Sequence, residues 1–233
     1  MNSVETFEEL THRLNQIVGV PFGELGGALG VLWRGTATQN KGWAGNLVDR
    51  LIGSDAGNLP EPDLTKLGIE VKTIPIGIGP KVLQPTKVTM LNYGDLYGTE
   101  WWESDPFHKL RSVLFVPIVK FETERPDEWF IRHPFLWLPS FSILSKFKQD
   151  YDSVRTLVRS GEFERISSAK PPNGQGVCLH PKPAAKNSAA RRKYKVGDEV
   201  VSLPPRAWML RESFTQQLVG ENLRLELRSV RSP

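Results

Sequence analysis

Residues 67–76, LGIEVKTIPI, alternate one by one between the two faces of an extended chain. Ile69, Val71 and Thr73 fall on one side, Glu70 and Lys72 on the other. Upstream the hydrophobic period changes. Phe7, Leu10, Leu14, Ile17 and Val18 recur at helical spacing, with Thr6 and Glu9 placed as a capping box. Short helices are predicted over about 22–29 and 42–52, the latter with Leu47, Val48, Leu51 and Ile52 as its apolar stripe. Downstream, strands are predicted at 88–92, 113–119 and 135–138, and a helix over 143–160 carries Leu144, Phe147, Tyr151, Val154, Leu157 and Val158. Short strands near 177–179 and 200–203 and a helix from Ser213 to about Val219 complete the pattern. Helical and strand periods interleaved in this way predict an α/β chain with a mixed sheet.

At 233 residues the chain is one domain or two lobes, and 39% apolar content suffices for a core. The longest apolar run, 113–119, is far shorter than the ~20 residues that cross a bilayer. MNSVETFEEL carries early acids and no apolar stretch, unlike a secretory signal. A single cysteine, Cys178, rules out an internal disulfide framework and a multi-cysteine zinc site. A soluble cytoplasmic protein without membrane contact is the expectation.

The net charge of +4 is unevenly spread. Residues 1–164 hold 17 Lys and Arg against 21 Asp and Glu, and residues 198–233 hold five of each. The excess lies in 165–197, where Arg165, Lys170, Lys182, Lys186, Arg191, Arg192, Lys193 and Lys195 stand among four prolines with no acid. Such a window suits a polyanion-binding loop, and equally a solvated surface loop.

The chemical signal is PDLTKLGIEVK. In a strand, Glu70 and Lys72 project to one face, and Asp63 can fold back across a short connection to the same place. Neighbouring carboxylates repel unless a cation lies between them, and Mg²⁺ suits one or two carboxylates plus waters and phosphate oxygens. Lys72 would then stand where charge develops on a phosphate. On these three residues alone, an exposed face with a surface ion pair worth at most about 1 kcal/mol is the simpler account. The preceding helix adds a third carboxylate, Asp49, close to its apolar face.

Asp49, Asp63, Glu70 and Lys72 together resemble the PD-(D/E)xK nuclease core. KGWAGNLVDRLIG and AGNLPEPDLTKLGIEVKTIPI, followed by HKLRSVLFVPI, FLWLPS, LHPKPAAKNSAA and LPPRAWMLRESFT, resemble the MutH family of mismatch-repair endonucleases and related restriction enzymes that cut GATC. The order and spacing hold from about Phe22 to Val219. This resemblance implies a restriction-endonuclease-like mixed central sheet flanked by helices, in a two-lobed clamp around DNA, with a catalytic lobe over roughly 1–105 and a base-reading lobe over roughly 106–233. It implies Asp63 and Glu70 as metal ligands with Lys72 near the scissile phosphate, and Asp49 as a further ligand where the family has a glutamate. Lys41 matches a hinge lysine that contacts DNA, and Lys109 a second lysine of the active region. His180, Lys182, Lys186, Trp208 and Met209 fall on the DNA-reading side. His180 stands where the GATC enzymes have an arginine, and Met209 where they have a tyrosine tied to sensing adenine methylation.

The function implied is Mg²⁺-dependent, sequence-specific hydrolysis of duplex DNA, as strand nicking in mismatch repair by a monomer with a MutL-type partner. A type II restriction endonuclease of the same fold is the alternative, and a DNA-binding module without catalysis a third reading. His12, His133 and Cys178 read as structural, while Trp101 and Trp102 suit either a lid or the core.

Overall fold

A computed structural model describes residues 3–33, 42–57, 61–121, 125–169, 177–184 and 190–229. Among them the chain forms α1 (Phe7–Ile17), α2 (Phe22–Ala28), α3 (Trp43–Ile52), β1 (Glu70–Ile76), β2 (Thr86–Leu91), α4 (Tyr93–Gly98), α5 (Asp105–Leu110), β3 (Val113–Val119), β4 (Phe130–Ile131) and β5 (Phe135–Trp137). It continues through α6 (Phe141–Arg159), β6 (Leu179–Pro183), β7 (Arg192–Val196), β8 (Glu199–Leu203), β9 (Arg206–Leu210) and α7 (Glu212–Ser229). No described helix is long and apolar enough to cross a membrane.

The backbone divides into two units, one of 1–84, 112–137 and 215–233, the other of 85–111 and 138–214. This differs from a single cut near residue 105. The reason is strand pairing: β1 lies parallel to β3, and parallel neighbours require a long crossover. Part of the second unit is spliced into that crossover.

In the first unit, β1 and β3 pair from Glu70–Val113 to Ile76–Val119. β4 and β5 then run antiparallel to β3 in tandem along its other side. The gap between them faces Pro117, whose carbonyl accepts the Arg132 N–H at 2.9 Å. All seven residues of β3 are buried, as suits a central strand. Helices α1–α3 cover one sheet face: Leu10, Ile17, Phe22, Leu47, Val48, Leu51 and Ile52 pack with Val71, Leu114, Val116 and Ile118. Each such fully buried side chain contributes about 1.5–3 kcal/mol. In α1, Thr6 Oγ1 accepts the Glu9 N–H at 3.1 Å, but the Glu9 carboxylate reaches back to the Glu5 N–H rather than closing the expected box on Thr6.

In the second unit, β2, β9 and β6 form an antiparallel sheet with β9 in the middle, and β7 and β8 form a hairpin. The window expected to be one basic loop is therefore partly strand. β6 carries Pro181 and Pro183 and, among the described residues, pairs only with β9; an edge strand tolerates residues that cannot donate a ladder hydrogen bond. Trp101 belongs to the core, fully buried among Phe107, Phe147 and Tyr151, whereas Trp102 is exposed and stacks on Phe141.

Candidate active site and base-reading face

The approach of Asp63 to β1 is a local consequence of sequence. Leu64 and Ile69 form an isolated antiparallel bridge, with the Leu64 N–H on the Ile69 carbonyl at 2.9 Å. Gly68, at φ +65°, allows the tight turn between them. Asp63 is thereby brought beside the start of β1, where its Oδ2 accepts the Val71 N–H at 2.8 Å. Its own carbonyl accepts the Asp55 N–H and the Ser54 hydroxyl, each at 3.0 Å, so main chain and side chain are both fixed.

Glu70 and Lys72 do share a face and form an ion pair. That face is not solvated: Glu70 is 2% exposed and the Lys72 side chain 16%. The exposed surface pair that these residues alone would suggest is thus excluded. Burying a carboxylate next to other carboxylates is costly without a cation nearby. Asp49, on the last full turn of α3, feels all three groups. Burial pushes its carboxyl up to about 6, the charges of Asp63 and Glu70 push the same way, and Lys72 pulls against them.

Asp49 thus acts with Asp63 and with the Glu70–Lys72 pair, a donor set of hard oxygens that fits a divalent cation such as Mg²⁺. Among the described residues no group of three or more His, Cys, Asp or Glu is placed to hold a metal ion by itself. Mg²⁺ does not require one, since it is held by one or two carboxylates and keeps several waters.

In the second unit, strand register assembles a different row. Met209 on β9 lies opposite Lys87 on β2 and opposite His180 on β6. Lys87 is exposed, Met209 and His180 half-buried. Burial, with Arg211 and Lys182 adding positive charge, holds the His180 imidazole down to about 4. At neutral pH it is uncharged, offering one donor and one acceptor. Lys182 shares its face of β6, two residues on, and is exposed. Trp208 does not belong to this row. It points the other way, is 2% exposed, and stacks on Tyr151 at 5.6 Å between centroids, so its expected part in reading DNA is corrected to a core role.

Comparison with known proteins follows the same lines. A family described as "DNA mismatch repair enzyme MutH" matches residues 52–150, a stretch holding Asp63, Glu70 and Lys72. The DNA mismatch repair protein MutH of Shewanella woodyi is 31% identical over 94% of this chain and 93% of that protein. The protein of the same name from Vibrio vulnificus is 33% identical over 92% and 93%, and that from Vibrio campbellii 34% over 91% and 92%. The chain belongs to the MutH family.

Of the residues that the MutH resemblance points to, Lys41 and Lys186 lie outside the described residues. Lys109 is half-buried in the last turn of α5 and belongs to the second unit. Within the basic window, Arg165 is engaged by Glu162 and Arg191 donates to the Ser202 carbonyl at 2.9 Å. Arg192, Lys193 and Lys195 stand exposed on β7. Lys87 is a residue that the sequence of this MutH relative does not bring forward. Its one signal is the alternating TKVTML strand, and only the pairing with β9, which includes a bulge between Lys87 and Thr89, places it beside Met209.

Proposed function

We propose that this chain is a Mg²⁺-dependent endonuclease that hydrolyses a phosphodiester bond at a short specific site in duplex DNA, nicking one strand in cytoplasmic mismatch repair. The buried Glu70–Lys72 pair, with Asp63 and Asp49 coupled to it, carries this reading. In the proposal Asp63 and Glu70 hold the ion, and Asp49 assists from α3. An ion held there would supply Lewis-acid polarisation of the phosphate and would ease deprotonation of the attacking water. Asp63, locked by the Val71 N–H, presents its free carboxylate oxygen in one orientation. Lys72 is held by Glu70 in a poorly solvated place, where its charge acts strongly on the oxygens that become more negative in the transition state. With one methylene fewer, Asp49 keeps the charge of the family's glutamate at a shorter reach.

The second unit supplies DNA contact in this proposal: Lys109, Lys182 and the β7 cations toward phosphates, Lys87, Met209 and His180 toward base edges. In this proposal the chain acts as a monomer and is switched on by a MutL-type partner. One observation favours the restriction-enzyme alternative, namely the Lys87–Met209–His180 row. A neutral imidazole cannot grip guanine with the two donors of an arginine, and methionine donates nothing.

The deciding experiment is cleavage of matched methylated and unmethylated supercoiled DNA in Mg²⁺, with the ends sequenced. Slow nicking at GATC, abolished by methylation and accelerated by a MutL protein, is the expected result. Rapid double-strand cutting at another site without a partner would make the chain a restriction enzyme. Absence of cleavage with intact DNA binding would make it a binding module.

Phosphate binding by the basic strands has its own signature. The Lys182→Glu, Lys193→Glu double variant is expected to weaken binding across all sequences and to flatten the log-log salt slope by about 2, near 0.9 for each phosphate no longer neutralised. An unchanged slope would assign the phosphates to other side chains.

A further inference from the structure

The apolar stripe of α6 contains an acid. Phe147, Tyr151, Val154 and Val158 are buried along it, and among them Asp150 is only 3% exposed. A carboxylate at such a depth is costly unless its oxygens are occupied. Here Oδ2 accepts two backbone N–H groups, those of Cys178 and Leu179, each at 2.8 Å. Both belong to the chain as it enters β6. The Cys178 carbonyl in turn accepts the Arg211 N–H at 2.9 Å, just beyond the end of β9. The first residues of β6 are thus held from two sides, by a side chain of α6 and by the backbone following β9.

What is held is the register of the row described above. Leu179 pairs with Leu210, which puts His180 against Met209 and Lys182 against Ala207. A slip of one residue would turn His180 and Lys182 to the side that Trp208 and Pro181 now occupy. β6 needs such an anchor. It is an edge strand, and two of its five residues are prolines that cannot donate to the ladder. Helix α6, 19 residues long and capped by the Ser140 hydroxyl on the Ile143 N–H, is the rigid element from which the carboxylate reaches.

We infer that Asp150 is a positioning residue for DNA sequence recognition: from the buried face of α6 it fixes the register of β6, and through it the placement of His180 and Lys182. The inference rests on the second unit's proposed role in reading DNA. Charge-assisted bonds from two successive amides are short and directional, as setting a register demands. Burial nevertheless keeps the Asp150 carboxyl up at about 6, against the two N–H bonds and the Arg211 charge, so the anchor is maintained at a cost in desolvation.

The test compares Asp150→Asn, which keeps an oxygen able to accept both N–H groups, with Asp150→Leu, which keeps the bulk and removes the acceptor. It is read first without DNA. Amide exchange protection at Cys178 and Leu179 and the cross-strand proton contacts between His180 and Met209 should be kept in Asp150→Asn and abolished in Asp150→Leu. Binding to the cleaved sequence and to unrelated DNA is then measured at one salt concentration. For Asp150→Leu the ratio of the two affinities is expected to fall about tenfold or more, in the range of one mismatched base pair, while unrelated DNA loses only the single phosphate contact of Lys182. Asp150→Asn should recover most of the ratio. A ratio unchanged in Asp150→Leu, or an intact His180–Met209 pairing, would overturn the inference. Should Asp150→Leu fail to fold, undiminished exchange protection at Cys178 and Leu179 combined with a collapsed ratio in Asp150→Asn would do the same. Wild-type protein that shows no sequence preference would instead sink the proposed reading role itself.

Discussion

Asp63→Asn is expected to lower DNA cleavage in Mg²⁺ by about 10³-fold or more, with DNA binding unchanged within about twofold. The substitution is nearly isosteric, and its amide oxygen can still accept the Val71 N–H that fixes Asp63. What disappears is one negative charge from a group of three carboxylates, and with it a ligand of the proposed ion. Loss of a group that acts with others as a unit removes most of what the unit achieves, which is why a large effect on turnover is expected from so small a change. Cleavage rates under single-turnover conditions, with thermal stability measured in parallel, provide the check. A variant that cuts like the wild type would move the catalytic centre away from this strand.

Lys72→Met is expected to act on both activity and folding. Its ammonium pairs with Glu70, which has almost no contact with solvent. Breaking a buried ion pair from one side destabilises by about 3–5 kcal/mol, whereas replacing both partners with neutral groups is often close to neutral. The single variant should therefore unfold at markedly lower denaturant, and the Glu70→Gln, Lys72→Met double variant should regain most of that loss. Neither should cleave DNA. If Lys72→Met were as stable as wild type and the double variant no better, the pair would not be the poorly solvated unit on which the mechanism depends. Recovery of cleavage in the double variant would remove both residues from catalysis.

The strand of the proposed centre is legible in the sequence because its information is local. Alternation puts Glu70 and Lys72 on one face whatever the rest of the chain does, and Gly68 with Leu64 and Ile69 brings Asp63 back within a few residues. Burial of that face is not legible. Alternation ordinarily marks a strand with one wet side, and only the tertiary structure leaves Glu70 2% exposed. The reading row escapes for a related reason: Lys87, His180 and Met209 are far apart in sequence and meet through a register that long-range pairing decides. Pro181 and Pro183 make β6 look like loop, and Trp208, on the same strand as Met209, looks like an exposed reader until parity sends it inward. Asp150 is hidden by its company, since an acid within an apolar helical stripe reads as a residue on the stripe's margin.

The splitting of the carboxylate-bearing unit by part of its neighbour also orders events on the ribosome. When synthesis of β1 is complete, Asp49, Asp63, Glu70 and Lys72 have all been made, yet the strand that pairs with β1 has not. At ~5–20 residues per second, synthesis of 77–119 takes a few seconds, and parallel pairings across such separations form late. During that interval the nascent chain holds every acid of the proposed centre but not the sheet that buries them. The proposed centre thus cannot be completed before the segment that begins the second unit has been translated.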